Sequence, residues 1–501
     1  MWERTQGELR FVVEHRSQNG DGGATLRVLS AGNDASEWLR FDCFDKGPHF
    51  HIAPSGRDEI TAMDPLADNI GWTLDELRSD LRGYLKRAGC EADPGSHAEI
   101  SDVLAAVEAN MRNPEGPVDD LDLAVLHSRF SEKWNTYPDD ALAAWVAEMD
   151  FPLAEPIRRV LQRAVDRSDI GYPIEPRATG ITEAFAQRMD ERFGWSVDPQ
   201  RVEVLSEVVQ GLYVALESYA ASGEGAVVQT PIYPPFLQSV EDTGRRLVEN
   251  RLLETATGYA IDFDRLRSDA DADTRVFLLC NPHNPTGRVF SREELETLAE
   301  LACERDWVVV ADEIHGDLVF PGSQYIPFGS LSPEVGQRTV TLTSATKAFN
   351  IPGLRCAVAH FGSREVHDRF NATHPRHVRG GIGILGLYAT LAAWQHSQPW
   401  LDQVLRVLDA NRNFASQYLD AHIPEIVHRI PEATYMAWLD CRGLDLSPNP
   451  AAFFLEKGRV ALSTGSLFGS GFEGYARLNF ATSQAVLEQI LDRMREAVKG
   501  R

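Results

Sequence analysis

Four short apolar runs narrow what this chain can fold into more than any other feature. They are Ala226-Val227-Val228, Val276-Phe277-Leu278-Leu279, Trp307-Val308-Val309-Val310-Ala311 and Val340-Thr341-Leu342. Each is short for a helix and almost free of polar residues, the pattern of strands buried on both faces of a mainly parallel sheet. Between two of them, Ser291-Arg292-Glu293-Glu294 forms a capping-box signature ahead of Leu295, Leu298 and Leu301, so a helix separates the strands. Strand and helix alternating after residue 118 predict an α/β fold. From Asp409 the chain reads as a separate α+β portion, ending in an amphipathic helix from Gln484.

Before residue 118 the pattern differs. Asn113-Pro114-Glu115-Gly116-Pro117 breaks the chain with two prolines and a glycine. Ahead of that break, Phe11-Val12-Val13, Thr25–Leu29 and Leu39–Phe44 have strand-like content, and Asp45-Lys46-Gly47 predicts a hairpin returning through Phe50-His51-Ile52. Thr73 is the expected cap of a helix carrying Leu74, Leu77, Leu81 and Leu85 on one face, and Ser96 opens a second helix. His49 and His51 share a strand face and, with Cys43, raise the question of a metal. No second ligand pair with recognisable spacing follows, and the reading adopted is strand histidines without a metal.

Charge and hydropathy remove several classes of function. The 501 residues carry 49 basic and 74 acidic side chains, a formal charge of −25, which disfavours nucleic acid and anionic membrane surfaces as partners. The first 118 residues hold 12 basic and 21 acidic side chains, so they are no basic DNA-reading arm. With 43% apolar and 25% charged residues the chain is not disordered overall. Its first residues lack the layout of a signal peptide. The uncharged apolar stretch Gly380 to Trp394 is shorter than the ~20 residues that span a bilayer. Six dispersed cysteines without a CxxC pair read as reduced thiols, and the expected location is the cytoplasm.

Polar residues collect where the buried strands should end, the edge at which parallel α/β sheets bind ligands. Asn284 follows the run ending at Leu279, Asp312 follows Ala311, and Ser344 and Lys347 follow Leu342. An amide, a carboxylate, a hydroxyl and an amine are thereby expected at one edge.

Met149-Asp150-Phe151, Gly171-Tyr172, His283-Asn284-Pro285-Thr286-Gly287, Asp312-Glu313-Ile314-His315, Ser344-Ala345-Thr346-Lys347-Ala348-Phe349-Asn350 and Arg477-Leu478-Asn479 occur in that order. The set resembles the fold-type I pyridoxal-phosphate (PLP) enzymes of the class I/II aminotransferase superfamily, and within it the cystathionine β-lyase-like C–S lyases. The resemblance runs from roughly Asp119 to Arg501. It implies a PLP-dependent transferase fold: a large mainly parallel-sheet domain at 166–394 and a small α+β domain at 119–165 and 395–501. Residues 1–113 are then an extra N-terminal α+β domain of no recognised family, joined by a linker at 114–118.

The resemblance also implies roles. Lys347 carries PLP covalently and acts as the base at Cα. Asp312 pairs with the pyridine nitrogen, Asn284 bonds the phenolic oxygen, and Tyr233 stacks on the ring. Ser344, Arg355 and the N–H groups around Val208 and Val209, just before a helix beginning near Gly211, take the phosphate. Tyr172 matches a tyrosine that reaches the phosphate from a neighbouring subunit, which implies a homodimer with shared active sites. Arg477 matches the residue gripping the α-carboxylate of a small amino-acid substrate. His315 stands where many aminotransferases have tyrosine, a departure that favours the lyases.

The implied reaction is β-elimination from an L-cysteine S-conjugate, giving thiol, pyruvate and ammonia, with sulfur natural-product biosynthesis as a setting. An aminotransferase would use nearly the same residues. A decarboxylating or oxidatively deaminating enzyme acting on a cysteine S-conjugate is a further alternative. From another class, a PLP-sensing regulator remains, although the acidic, strand-rich N-terminal unit has no helix-turn-helix pattern.

Overall fold

Alternation of apolar and polar residues builds the N-terminal unit. In the computed structural model, which describes residues 2–18, 21–32, 36–44, 46–63, 68–112, 118–255, 258–375, 379–446 and 449–501, the chain divides into two compact units, Met1–Val118 and Asp119–Arg501. The break at Asn113–Pro117 and the turn residue Asp45 lie outside the described residues.

In the first unit, six strands follow one another in sequence order as an antiparallel sheet: Trp2–Gln6, Leu9–Gln18, Asp21–Ser30, Glu37–Phe44, His49–Ile52 and Glu59–Ala62. Period two puts Phe11, Val13, Leu26, Val28, Leu39 and Phe41 on one face, where they share a core with Leu74, Leu77, Leu81, Val103 and Leu104 of helices Asn69–Arg87 and His97–Arg112. The first helix begins a turn earlier than Thr73 predicted. Asp68 is its cap, accepting from the Gly71 N–H at 2.8 Å, while Thr73 lies inside the helix, fully buried, 3.2 Å from the Cys43 sulfur. Ser96 does open the second helix, with Glu99 bonding back to it.

The second unit is organised by a seven-stranded sheet. Its order is Arg246–Arg251, Gly225–Thr230, Thr274–Cys280, Val308–Asp312, Thr339–Thr343, Ala357–Phe361 and Val202–Leu205. The first five are mutually parallel and Ala357–Phe361 alone runs against its neighbours. All four apolar runs are strands here, buried by helices on both faces. The capping box at Ser291 and Glu294 starts helix Arg292–Glu304. Pairing of Cys280 with Asp312, and of Asp312 with Leu342, sets the carboxyl ends of three central strands level.

A second, antiparallel sheet of Val427–His428, Met436–Asp440, Tyr475–Asn479 and Ser463–Thr464 follows in the chain. Asp409 does not begin this portion: it lies within the helix Gln398–His422. The uncharged stretch forms helix Ile384–His396, largely buried, and no helix among the described residues is long and apolar enough to cross a membrane. No disulfide joins the six cysteines.

One segment, 142–151, bonds both to the end of the four-stranded sheet and to the turn after Lys347. Ala143 pairs with Ala461, and the Ala144 carbonyl accepts from the Asn479 N–H. The Asn479 side chain donates to the carbonyls of Val146 and Glu148, both at 2.7 Å, and Asn350 donates to those of Met149 and Phe151 at 3.0 and 3.1 Å. Asp150, wholly buried, accepts from the Trp134 indole at 2.8 Å and pairs with Lys133 at 2.9 Å. Removing one partner of such a pair strands a charge in the core. Lys133→Met is expected to destabilise the protein by about 3–5 kcal/mol, read as a lower urea midpoint; a change under 1 kcal/mol would contradict it.

Candidate active site

Strand geometry delivers the polar residues to one place. Asp312 is the last residue of its strand, Ser344 and Lys347 follow the neighbouring strand, and Asn284 lies in the turn after the third. Together with Val208, Val209, Tyr233, His315 and Arg355 they line a single cavity of about 940 Å³. Nine of the eleven residues expected from sequence therefore share one wall.

The other two stand differently. Tyr172 is 102% exposed and is not part of the cavity lining within this chain. Arg477 lies behind the wall: it donates to Asn284 Oδ1 at 3.0 Å, to the Trp145 carbonyl at 3.0 Å and to Ser463 Oγ at 3.2 Å. Its Nε, also buried, has no hydrogen-bond partner among the described residues.

Burial sets the protonation states. The Lys347 ammonium is pushed down to about 8 by desolvation and by the Arg477 charge, against the pull of Asp312. Its Nζ donates to the Ala147 carbonyl at 2.9 Å. Asp312 is raised to about 7 by burial, opposed by the Ile314 N–H at 3.1 Å and by Lys347. His315 is lowered to about 3 by burial and by the Lys347 and Arg477 charges, so it is neutral at pH 7. Its Nδ1 has no partner among the described residues, and its ring stands edge-on to Tyr435. Arg477 is lowered to about 10, chiefly by burial. An amine drawn toward its neutral form and a carboxylate reluctant to ionise, lining one cavity, are poor stability elements and a good acid–base pair.

The residues expected at the phosphate gather at a helix start. Val208 and Val209 are the first two residues of helix Val208–Tyr219, one turn earlier than expected from Gly211, so their N–H groups have no partner within the helix. Ser344 caps the short helix Ala345–Ala348, accepting from Thr346 N–H at 3.0 Å and donating to the Cys356 carbonyl at 2.5 Å. Arg355 is bonded to Glu207, the residue just before Val208. Glu207, Thr346 and Glu148 line the cavity and were not anticipated. Glu207 adjoins the phosphate motif in sequence, but that a carboxylate should face Arg355 is a long-range fact.

Two family models match the chain. "Aminotransferase class I and II" covers residues 148–494, and "Domain of unknown function (DUF7700)" covers 5–110. Cystathionine beta-lyase PatB of Bacillus subtilis (strain 168) is 37% identical over 361 residues, 72% of this chain and 93% of that protein. Cystathionine beta-lyase of Corynebacterium glutamicum is 34% identical over 384 residues, 77% of this chain and 99% of that protein. Among solved structures, the PLP-bound C-S lyase from Staphylococcus hominis superposes with a TM-score of 0.70 at 28% identity, over 76% of this chain and 98% of that one.

The carboxyl of Asp312 has a folded-state value above its ordinary 3.8, so the stability it contributes is full below about 4 and lost as pH rises through about 7. Asp312→Asn is expected to stabilise the ligand-free protein by an amount that grows between those limits, reaching on the order of a few kcal/mol. Denaturant titrations at pH 5 and pH 8 test this; an equal effect at both would contradict it.

Proposed function

This chain belongs to the aminotransferase class I and II family, and on that footing we propose that the cavity around Lys347 cleaves the C–S bond of an L-cysteine S-conjugate by β-elimination. The enzyme is a PLP-dependent carbon–sulfur lyase. The observation that carries the assignment to this cavity is that it holds both a buried Lys347 whose amine is pushed toward its neutral form and a buried Asp312 that has no full counter-charge.

The donor set fits PLP. When bound, PLP withdraws electrons from the substrate's Cα and makes its proton acidic. Asp312, costly to ionise in the ligand-free site, gains the missing positive partner from a protonated ring nitrogen. Asn284 and Tyr233, both lining the cavity, would flank the ring. Ser344, Arg355 and the Val208 and Val209 N–H groups hold the phosphate, which requires Arg355 to exchange Glu207 for the dianion. Lys347 Nζ holds the cofactor and then accepts the Cα proton; its depressed value keeps the amine able to do so near neutral pH.

Arg477 takes the α-carboxylate through donors now spent on Asn284, Trp145 and Ser463. His315, neutral and with an unspent Nδ1, lines the same space without adding a charge that would favour carboxylate substituents. Thiolate leaves from Cβ, and pyruvate and ammonia follow by hydrolysis.

The proposed assembly is a homodimer in which Tyr172 completes the partner's phosphate site. It is supported by Val165, Ile170, Tyr172 and Ile174, which lie close in sequence and are all strongly exposed on the single chain. The proposed division of this unit assigns 166–394 to the large part and 119–165 with 395–501 to the small.

Incubation with an S-substituted L-cysteine is expected to give pyruvate and thiol in equal amounts without any 2-oxo acid. Strict dependence on such an acceptor would replace the lyase with an aminotransferase. Borohydride reduction of the PLP-loaded protein is expected to fix the cofactor on the Lys347 peptide by mass spectrometry, and on no peptide in Lys347→Ala. Because only the neutral amine reacts, the rate of attachment to ligand-free protein is expected to rise through pH about 8 and level off above it; a flat profile from pH 6 to 9 contradicts the buried-amine account.

A further inference from the structure

The N-terminal sheet has a second face, opposite its helices, and a compact polar cluster occupies it. Strand His49–Ile52 pairs with Glu37–Phe44 so that His49 faces Asp42 and His51 faces Arg40. Two residues apart on one strand, the histidines point to the same side as Asp42. Cys43 points to the other side, into the core, within 3.2 Å of Thr73 Oγ1. It therefore drops out of the ligand set that the sequence raised, and Asp42 takes its place. Ligand atoms of Asp42, His49 and His51 all lie within 4.8 Å of one another.

We propose that Asp42, His49 and His51 bind one divalent transition-metal ion of the zinc type, with a coordination position left open on the solvent side. Both rings are already oriented for it. His49 Nδ1 lies 2.9 Å from the Gly47 carbonyl, and His51 Nδ1 lies 2.9 and 3.0 Å from the two oxygens of Asp58. Each of these acceptors draws the ring proton to Nδ1 and leaves the lone pair on Nε2, the arrangement that holds metal-bound histidines. Both Nε2 atoms face Asp42 Oδ2, at 3.4 and 3.5 Å. Tetrahedral ligands on bonds of about 2.0–2.1 Å sit about 3.3 Å apart, so two of the three separations need hardly change. Asp42 Oδ1 accepts from the Thr25 hydroxyl at 2.6 Å, which fixes the carboxylate and directs Oδ2 at the histidines. Asp42 and His51 are buried, while the His49 side chain is 27% exposed and gives the ion a way in.

Arg40 holds this place in the ligand-free structure. Its Nε is 3.1 Å from Asp42 Oδ2, and its Nη2 is 2.7 and 3.1 Å from His51 Nε2 and Nδ1. A guanidinium only donates, so its approach to Nε2 marks that nitrogen as carrying the lone pair an ion would use. Arg16 Nη1, 3.9 Å from Asp42 Oδ1, adds a weaker positive charge. Ion and Arg40 guanidinium exclude one another. Glu37, 4.0 Å from Arg40 Nη1, is the carboxylate to which the displaced side chain can turn.

The test uses full-length protein stripped with a chelator and titrated with Zn²⁺ alone by calorimetry, with Co²⁺ absorption as a second readout. One equivalent per chain is expected. His51→Ala and His49→Gln should abolish it; the latter, at a partly exposed position, keeps the fold by circular dichroism. Asp58→Asn should weaken it about 10- to 100-fold. Arg40→Met separates this site from a plain ion-pair network: removing a competitor tightens metal binding, whereas removing a network partner only lowers stability and confers no binding. Wild-type protein without saturable binding, or binding unchanged in both histidine variants, overturns the proposal. PLP content, followed in the same samples, is independent of either result.

Discussion

Backbone carbonyls of one extended segment, Trp145–Phe151, set the positions of the charged groups in the cavity. The Trp145 carbonyl accepts from Arg477 and from Ser463, and the Ala147 carbonyl accepts from Lys347 and from the Tyr435 hydroxyl. A carbonyl can orient a cation only if the chain carrying it cannot move, and two buried amides supply that rigidity. Asn479 clamps the first half of the segment and Asn350 the second. Asn350 adopts a left-handed backbone, φ +54°, three residues beyond Lys347, so the turn that presents the lysine also holds the segment Met149–Phe151. Loss of either amide would leave carbonyls unpaired in a dry interior and the lysine without its reference point.

That dryness is also what makes the groups reactive. Lys347, Asp312, Arg477 and His315 are displaced from their ordinary values in the direction burial dictates, each toward its neutral form. Glu313, adjacent to Asp312 and pushed up to about 8 by the same burial, is spent structurally: it accepts from the Tyr325 hydroxyl and the Phe328 N–H. The contrast separates the two acids. Glu313 has donors of its own within the fold, whereas the carboxyl of Asp312 meets one backbone N–H and the charge of Lys347, and so gains most from a cationic ligand.

Much of this was legible in local sequence. Buried parallel strands declare themselves as apolar runs because both of their faces need apolar side chains. The residue after such a run is then at the sheet's ligand-binding edge. Errors fell where a cue was local and the decision was not. Thr73 looked like a cap, but Asp68, earlier in the chain, offers its carboxylate to the Gly71 N–H, and the helix starts where its first N–H groups find that acceptor. The helix expected near Gly211 begins at Val208, where no side chain caps it and apolar residues carry no start signal of their own. Cys43 was grouped with the histidines by proximity in sequence, whereas strand alternation puts it on the opposite face from Asp42.

By itself the sequence determined the chain's two parts, the alternating α/β core and the family, and it singled out the lysine, aspartate and arginine proposed for the site. Those follow from periodicity and from motif residues, which need only neighbours along the chain. Tertiary structure decided the rest: that Arg355 meets Glu207, that Arg477 stands behind Asn284, that Tyr172 faces away from its own cavity, and that Asp42 joins His49 and His51. Each of these is a meeting between residues brought together by strand register or chain crossing. Register depends on the packing of whole faces, and no local pattern contains it.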